Sequence, residues 1–323
     1  MTRRLGIVLT SVVIGACLAV SGTGAVTADS GASPLSGLPG GAGRSVVMVK
    51  LDNTSPARPH TGLREADLVY VEEVEWGVTR LAAMYNTVLP KIVGPVRSAR
   101  ISDLEILEQF QRPGLVYSGA NDAMVRLIRR SNAASLSPTE KSGYFYRDKS
   151  KEVPHNQMLK LAAMVATVRK LSPVEDVGFV FDAVTPVGGT PAKSFLVRWP
   201  NATVGGNWER SGFAIEVDGY LQRDAVTKRG VVARTVVIQF VEQTESRFGD
   251  RFGGKTPLVK TVGQGTAIVL RNGQRFDATW SRESAESGTT FMVGEQQLTF
   301  DVGQVWVLLV NRKNPRSVTV SSK

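Results

Sequence analysis

Only one cysteine, Cys17, occurs in the 323 residues. A disulfide framework and a cysteine-ligated zinc site within one chain are therefore excluded. Histidine is almost as scarce: His60 and His155 are the two present, too few for a multi-histidine metal site. There is no Walker phosphate loop and no G-x-S-x-G nucleophile elbow. The glycine-rich stretch 249–254 lacks the strand–helix frame of a dinucleotide site. No cofactor is implied.

What remains is ordinary globular composition, with 42% hydrophobic residues, 32 Gly and 15 Pro. Disorder, collagen and coiled coil are excluded as the main architecture. At ~100–150 residues per domain the length predicts two domains, each with its own core. Lys and Arg number 39 against 29 Asp and Glu, a net charge of +10.

Arg3 and Arg4 precede an apolar run from Leu5 to about Val20, followed by small residues. That order describes a secretory signal over residues 1–28. The run is shorter than the ~20 residues of a membrane span. Two cleavage patterns compete. Ile14-Gly15-Ala16-Cys17 fits a lipobox, in which Cys17 would carry lipid; Val26-Thr27-Ala28 fits ordinary signal peptidase. Either predicts a protein that works outside the cytoplasm, secreted or membrane-anchored. Residues 29–44, rich in Ser, Gly and Ala with Pro34 and Pro39, read as a flexible tether.

From Ser45 the pattern predicts an α+β fold: a mixed sheet-and-helix domain over 45–180, then a β-rich domain over 190–320. Strands are expected at 46–51, 66–74 and 79–85, the last two as a hairpin. Ile101, Leu104, Leu107 and Phe110 recur at helical spacing. A short strand follows at 115–118, then a helix capped by Asn121, then a third helix from Pro154 to about Leu171. Helix signals end near Val177. Beyond it, Asp218-Gly219, Asn272-Gly273 and Gly294 supply turn chemistry for three hairpins. A final apolar strand is expected at 305–310.

The densest polar constellation lies between Asp52 and Asn156. Glu73 and Glu75 would share a face of a regular strand, as general acid and base or as a cation site. They could instead be an exposed sheet face at the end of a strand, the more common case for such a pair. Arg97 and Arg100 precede a helix start, where outward N–H groups favour an anion, and arginine forks suit phosphate or carboxylate. They could instead pair with Glu73, Glu75 or Asp103 and hold the fold. His155 could be a general base or a capping residue. Trp199, Trp208, Trp280 and Trp306 read as core. Arg126, Arg129, Arg130, Lys149, Lys151 and the basic tail 312–316 suggest anionic wall polymers or lipid headgroups rather than nucleic acid.

The segments VVMVKLDN, ARPHTGL, ADLVYVEEVEWGVTRL, GPVRSAR, YRD and PHN occur in this order, followed by NGQRFDATWSRE and the strand Gly303–Trp306. Together they resemble the YerB-like family of bacterial envelope lipoproteins, over roughly residues 45–315. The resemblance implies an extracytoplasmic, often lipid-anchored protein with N- and C-terminal domains of unknown function, and it implies no reaction. On these motifs the family-like positions are Asp52, Asn53, Arg58, Gly62, Glu75, Thr79, Arg80, Arg97, Ser98, Arg100, Arg147, His155 and Asn156.

Three functions are compatible with this pattern. In the first, an Arg-rich, Glu-flanked cleft binds an anionic cell-wall polymer or an envelope protein, and a lipid anchor is the sole membrane contact. In the second, a hydrolase or transferase acts on a wall glycan or lipid-linked phosphate, with Glu73 or Glu75 as acid or base and His155 assisting. In the third, the same residues only form buried salt bridges in a structural interaction module.

Overall fold

The apolar segment after Ser45 forms the strand Val47–Asp52, whose six residues are all buried. A strand buried on both faces belongs at the centre of a covered sheet. The computed structural model, which describes residues 31–250 and 252–323 together with Thr2, places it there. The signal segment 1–28, both cleavage patterns and Cys17 lie outside the described residues, Thr2 apart. Among the described residues no helix is long and apolar enough to cross a membrane.

One 13-stranded sheet dominates. From one edge its main path runs Gln296–Gln297, Thr290–Val293, Gln274–Arg282, Gly263–Arg271, Thr235–Gly249, Val305–Asn311, Leu68–Glu73, Thr79–Tyr85, Val47–Asp52, Gly114–Val116, Ala134–Leu136. Strands from both halves of the chain therefore share one sheet. The join is the parallel pairing of Leu68–Glu73 with Val305–Asn311. The two halves do not bury separate cores, contrary to expectation. One apolar cluster combines Met48, Tyr70 and Met84 with Leu104, Ile128, Val237, Phe276 and Val307. The other, on the opposite face, combines Val49, Val71 and Leu81 with Ile238 and Leu308, and with Phe195, Phe213 and Ile215 of a second sheet. The large sheet thus lies between short helices and that second, six-stranded sheet. The α+β label holds broadly, but strand dominates: among the described residues the α-helices are Ile101–Leu107, Asp122–Arg130, Pro138–Lys141 and Leu161–Val165.

The turn chemistry performs as expected. Asp218 and Asn272 take positive φ of 52° and 50°, each followed by a glycine, as tight hairpin turns require. Asn121 caps its helix by accepting from Met124 N at 2.8 Å.

Two further expectations are overturned. The third helix is confined to Leu161–Val165, because Gln157–Leu159 is a strand paired with Phe145–Arg147. Leu159 N and O both bond Val93, at 2.9 Å each, so tertiary pairing takes the backbone groups a helix would use. Residues 31–44 are not a free tether. Leu35 is fully buried, Ser36 Oγ donates to Asp67 Oδ1 at 2.6 Å, and Gly303 N donates to Ser36 O at 2.8 Å. Small polar residues are here packing against buried acceptors. Leu35→Ala is expected to cost about 3 kcal/mol in a urea titration, as for other buried leucines. A change under about 0.5 kcal/mol, the scale of a surface substitution, would restore the tether.

Candidate functional site

Side chains alternate along a strand, and facing residues of antiparallel neighbours share a face. Asp52 pairs in register with Arg80, and Arg80 with Glu72. The row Asp52–Arg80–Glu72 therefore crosses three strands on one face, with Lys50 two residues back from Asp52. This row lies at the carboxyl ends of Val47–Asp52 and Leu68–Glu73. Open sheets with parallel strands commonly bind ligands at such ends.

Asp52 is the hub. Its Oδ1 accepts from Thr54 N at 3.1 Å and Thr54 Oγ1 at 2.9 Å, and lies 3.2 Å from Arg80 Nη1. Its Oδ2 lies 2.7 Å from His155 Nδ1 and 2.8 Å from Arg97 Nε. The Arg97 contact is an ion pair whose N–H does not point along the line to the oxygen. Burial pushes the Asp52 carboxyl up, but Arg80, Arg97, His155 and Thr54 together hold it at about 2. Burial lowers Arg80 to about 10, with Arg97 and Arg100 pushing the same way against the pull of Asp52. Three guanidinium groups thus share one neighbourhood.

Backbone threading delivers Arg97. Its N–H donates to Lys50 O at 2.8 Å, and its carbonyl accepts from Ser118 N at 2.9 Å. The segment before the first helix is thereby wedged between two strand ends. Arg97 is not inside that helix, which begins at Ile101. Among the described residues, Arg97 Nη1 and Nη2, Ser98 Oγ and His155 Nε2 have no hydrogen-bond partner. A carboxylate only accepts, so the bond to Asp52 puts the neutral imidazole's proton on Nδ1 and leaves Nε2 as an acceptor.

Glu73 and Glu75 do not form the expected pair. The strand ends at Glu73, and Glu75 opens a single 3-10 turn in which Trp76 has φ 63°. Alternation stops there. Glu73 accepts from Gln243 Nε2 at 2.8 Å, and burial raises its carboxyl. Glu75 Oε2 accepts from Arg100 Nε and Nη2 at 2.9 and 2.7 Å, and its Oε1 accepts from Thr256 Oγ1. Arg100 spends its remaining nitrogen on the Ser98 and Ala99 carbonyls. This pair holds the fold, one of the two roles open to Arg100.

The other expected residues scatter. Arg58 reaches the C-terminal half, donating to Val217 O at 2.6 Å and Asp218 Oδ2 at 2.7 Å. Asn53 Nδ2 donates to Thr79 Oγ1 at 2.8 Å. Arg147 donates to Asn156 Oδ1 at 2.7 Å, and Asn156 Nδ2 donates to the carbonyls of Asp148 and Lys151. These bonds close the loop that carries His155. His155 opens no helix; the next element is the strand Gln157–Leu159. Beside the hub, buried His60 lies 2.6 Å from the Asp52 carbonyl through Nε2, and burial lowers it to about 4. A cavity of about 720 Å³ adjoins this region, lined by Arg58, Thr61, Tyr146, Asp148, Lys151 and Lys228 among others. Asp52, Arg97 and His155 are not in its wall.

Sequence reasoning missed the ion cluster beneath the hub. Lys50 Nζ lies 2.6 Å from both Glu72 Oε1 and Asp103 Oδ1, all three fully buried. Its signal was a lone lysine inside an apolar strand. Among the described residues no group of three or more His, Cys, Asp or Glu converges as a metal site would.

Fold and motifs together define a sheet-rich α+β protein of one family. The chain belongs to the family described as protein of unknown function DUF3048, its N-terminal domain matching residues 35–174 and its C-terminal domain residues 197–307. It is similar to YerB of Bacillus subtilis (strain 168), provisionally named a lipoprotein, at 23% identity over 291 residues, covering 85% of this chain and 84% of YerB. The crystal structure of YerB from Bacillus subtilis matches with a TM-score of 0.76 at 20% identity, covering 90% of this chain and 99% of that one. That match confirms the fold.

Proposed function

We propose that this protein works in the cell envelope and binds a phosphate-bearing anion at Arg80, Arg97 and Ser98. Such a group would belong to a wall-associated polymer or envelope partner. The observation that carries the reading is the free end of Arg97, held by Asp52 through Nε with both Nη groups unpartnered among the described residues. Arg80 beside it is buried and shares the same carboxylate. A guanidinium anchored at one side and open at the other is pre-organised for an oxyanion. The provisional naming of YerB as a lipoprotein supports the location, as does the signal-like segment with Cys17.

Titration of inorganic pyrophosphate and of purified anionic wall polymer by calorimetry tests this. Arg97→Ala is expected to weaken binding about tenfold, the scale of one charged hydrogen bond. Affinity is also expected to fall with added salt. Equal affinities for wild type and variant would sink the reading. A second reading, a purely structural module, is favoured by one observation: Arg100 and Glu75 are completely paired. It applies to that pair and leaves the open end of Arg97 unexplained.

A further inference from the structure

We infer that the site also turns over its ligand, with His155 as general base and a phosphoanhydride as substrate class. This inference rests on the anion-binding reading above. Its ground is one carboxylate oxygen with two neighbours: Asp52 Oδ2 lies 2.7 Å from His155 Nδ1 and 2.8 Å from Arg97 Nε. The imidazole and the guanidinium are thus immediate neighbours. A buried carboxylate on Nδ1 fixes the ring and its tautomer, so Nε2 is the acceptor left for an incoming proton. The His155 side chain is 21% exposed, enough to meet a bound water or ligand. The loop behind the ring is clamped by Asn156, which accepts from Arg147 and donates to two carbonyls.

The donors select the substrate. Arg80 and Arg97, joined through Asp52, together offer more donors than a carboxylate's two oxygens take up. A pyrophosphate group, with several anionic oxygens on two phosphorus atoms, uses them better. In the step, Nε2 takes a proton from water as the water oxygen bonds one phosphorus. The bridging P–O bond breaks, and its electron pair leaves on the second phosphate, where Arg80 and Arg97 meet the charge. The proton then passes from Nε2 to the departing phosphate or to solvent. One water and one anhydride give two phosphates, with no change of oxidation state. Asp52 is a positioning residue.

The test uses the full chain with two probes: inorganic pyrophosphate, and phosphatidylcholine vesicles carrying a prenyl pyrophosphate. His155→Asn is the chosen variant, because an asparagine amide can still donate to Asp52 from the Nδ1 position but has no Nε2. Wild type is expected to release phosphate about 100-fold faster than this variant, while calorimetry gives both a similar pyrophosphate affinity. Turnover of both probes identifies the headgroup alone as the substrate; turnover only on vesicles identifies the lipid-linked form. Binding without turnover, or equal rates in wild type and variant, overturns the inference and leaves the binding reading standing. No binding of either probe removes both. If the variant's thermal midpoint drops, His155→Gln at matched folded fraction repeats the rate comparison, and an undiminished rate in it overturns the inference.

Discussion

Asp52→Ala is expected to cost about 4 kcal/mol of stability at neutral pH, the range for breaking a buried ion pair. The carboxylate is fully buried and faces Arg80, Arg97 and His155 at 2.7–3.2 Å. Its loss leaves the buried Arg80 guanidinium without its anion. The same contacts set an acid limit. Asp52 is held at about 2 in the fold against an ordinary 3.8. A depressed carboxyl contributes stability above its unfolded value, and that contribution is lost as pH falls through the folded one. The difference is worth about 2 kcal/mol, lost from just above pH 4 down to about 2. Urea titrations at pH 7 and along that acid range check both effects. The variant should lose less than wild type on acidification. A cost below 1 kcal/mol at pH 7 would show that Asp52 is not the hub.

Lys50→Met should be comparably damaging, at about 4 kcal/mol at pH 8. The substitution keeps the buried volume close to constant but leaves Glu72 and Asp103 facing each other in apolar surroundings. Burial, aided by Asp103 and opposed by Lys50, already pushes Glu72 up to about 8. Lys50 is raised despite the opposing effect of burial, because Asp103 and Glu72 favour its charged form. A carboxyl raised from 4.5 contributes stability that is complete below 4.5 and is lost as pH rises through about 8. Without Lys50 that loss grows, so the variant should be closer to wild type at pH 5 than at pH 9. Equal penalties at both pH values in urea titrations would refute the cluster's role.

Local signals carried much of the architecture. The strand Thr79–Tyr85 and the helix cap Asn121 stand where periodicity and capping chemistry put them, because burial and backbone satisfaction there are local matters. The join between the halves was not legible. Nothing in Leu68–Glu73 names Val305–Asn311 as its partner, since parallel pairing rests on backbone groups that every residue carries. The candidate site was half legible. Arg97, Arg100 and His155 were marked by residue type, but partner choice depended on where strands stop. Glu75 fell out of the alternation that would pair it with Glu73 because the chain turns at Trp76. Lys50 hid because a buried lysine in a strand is informative only once its two carboxylates are found across the sheet.

The parallel join has a consequence for how the molecule comes into being. Synthesis runs from the N-terminus, so Leu68–Glu73 emerges long before Val305–Asn311. Until the last long strand arrives, the N-terminal strands present an open edge of unpaired backbone groups, a template for mispairing. Closure of the large sheet must wait for the ribosome to release nearly the whole chain. A chain that cannot complete its fold early stays open and threadable until that strand arrives.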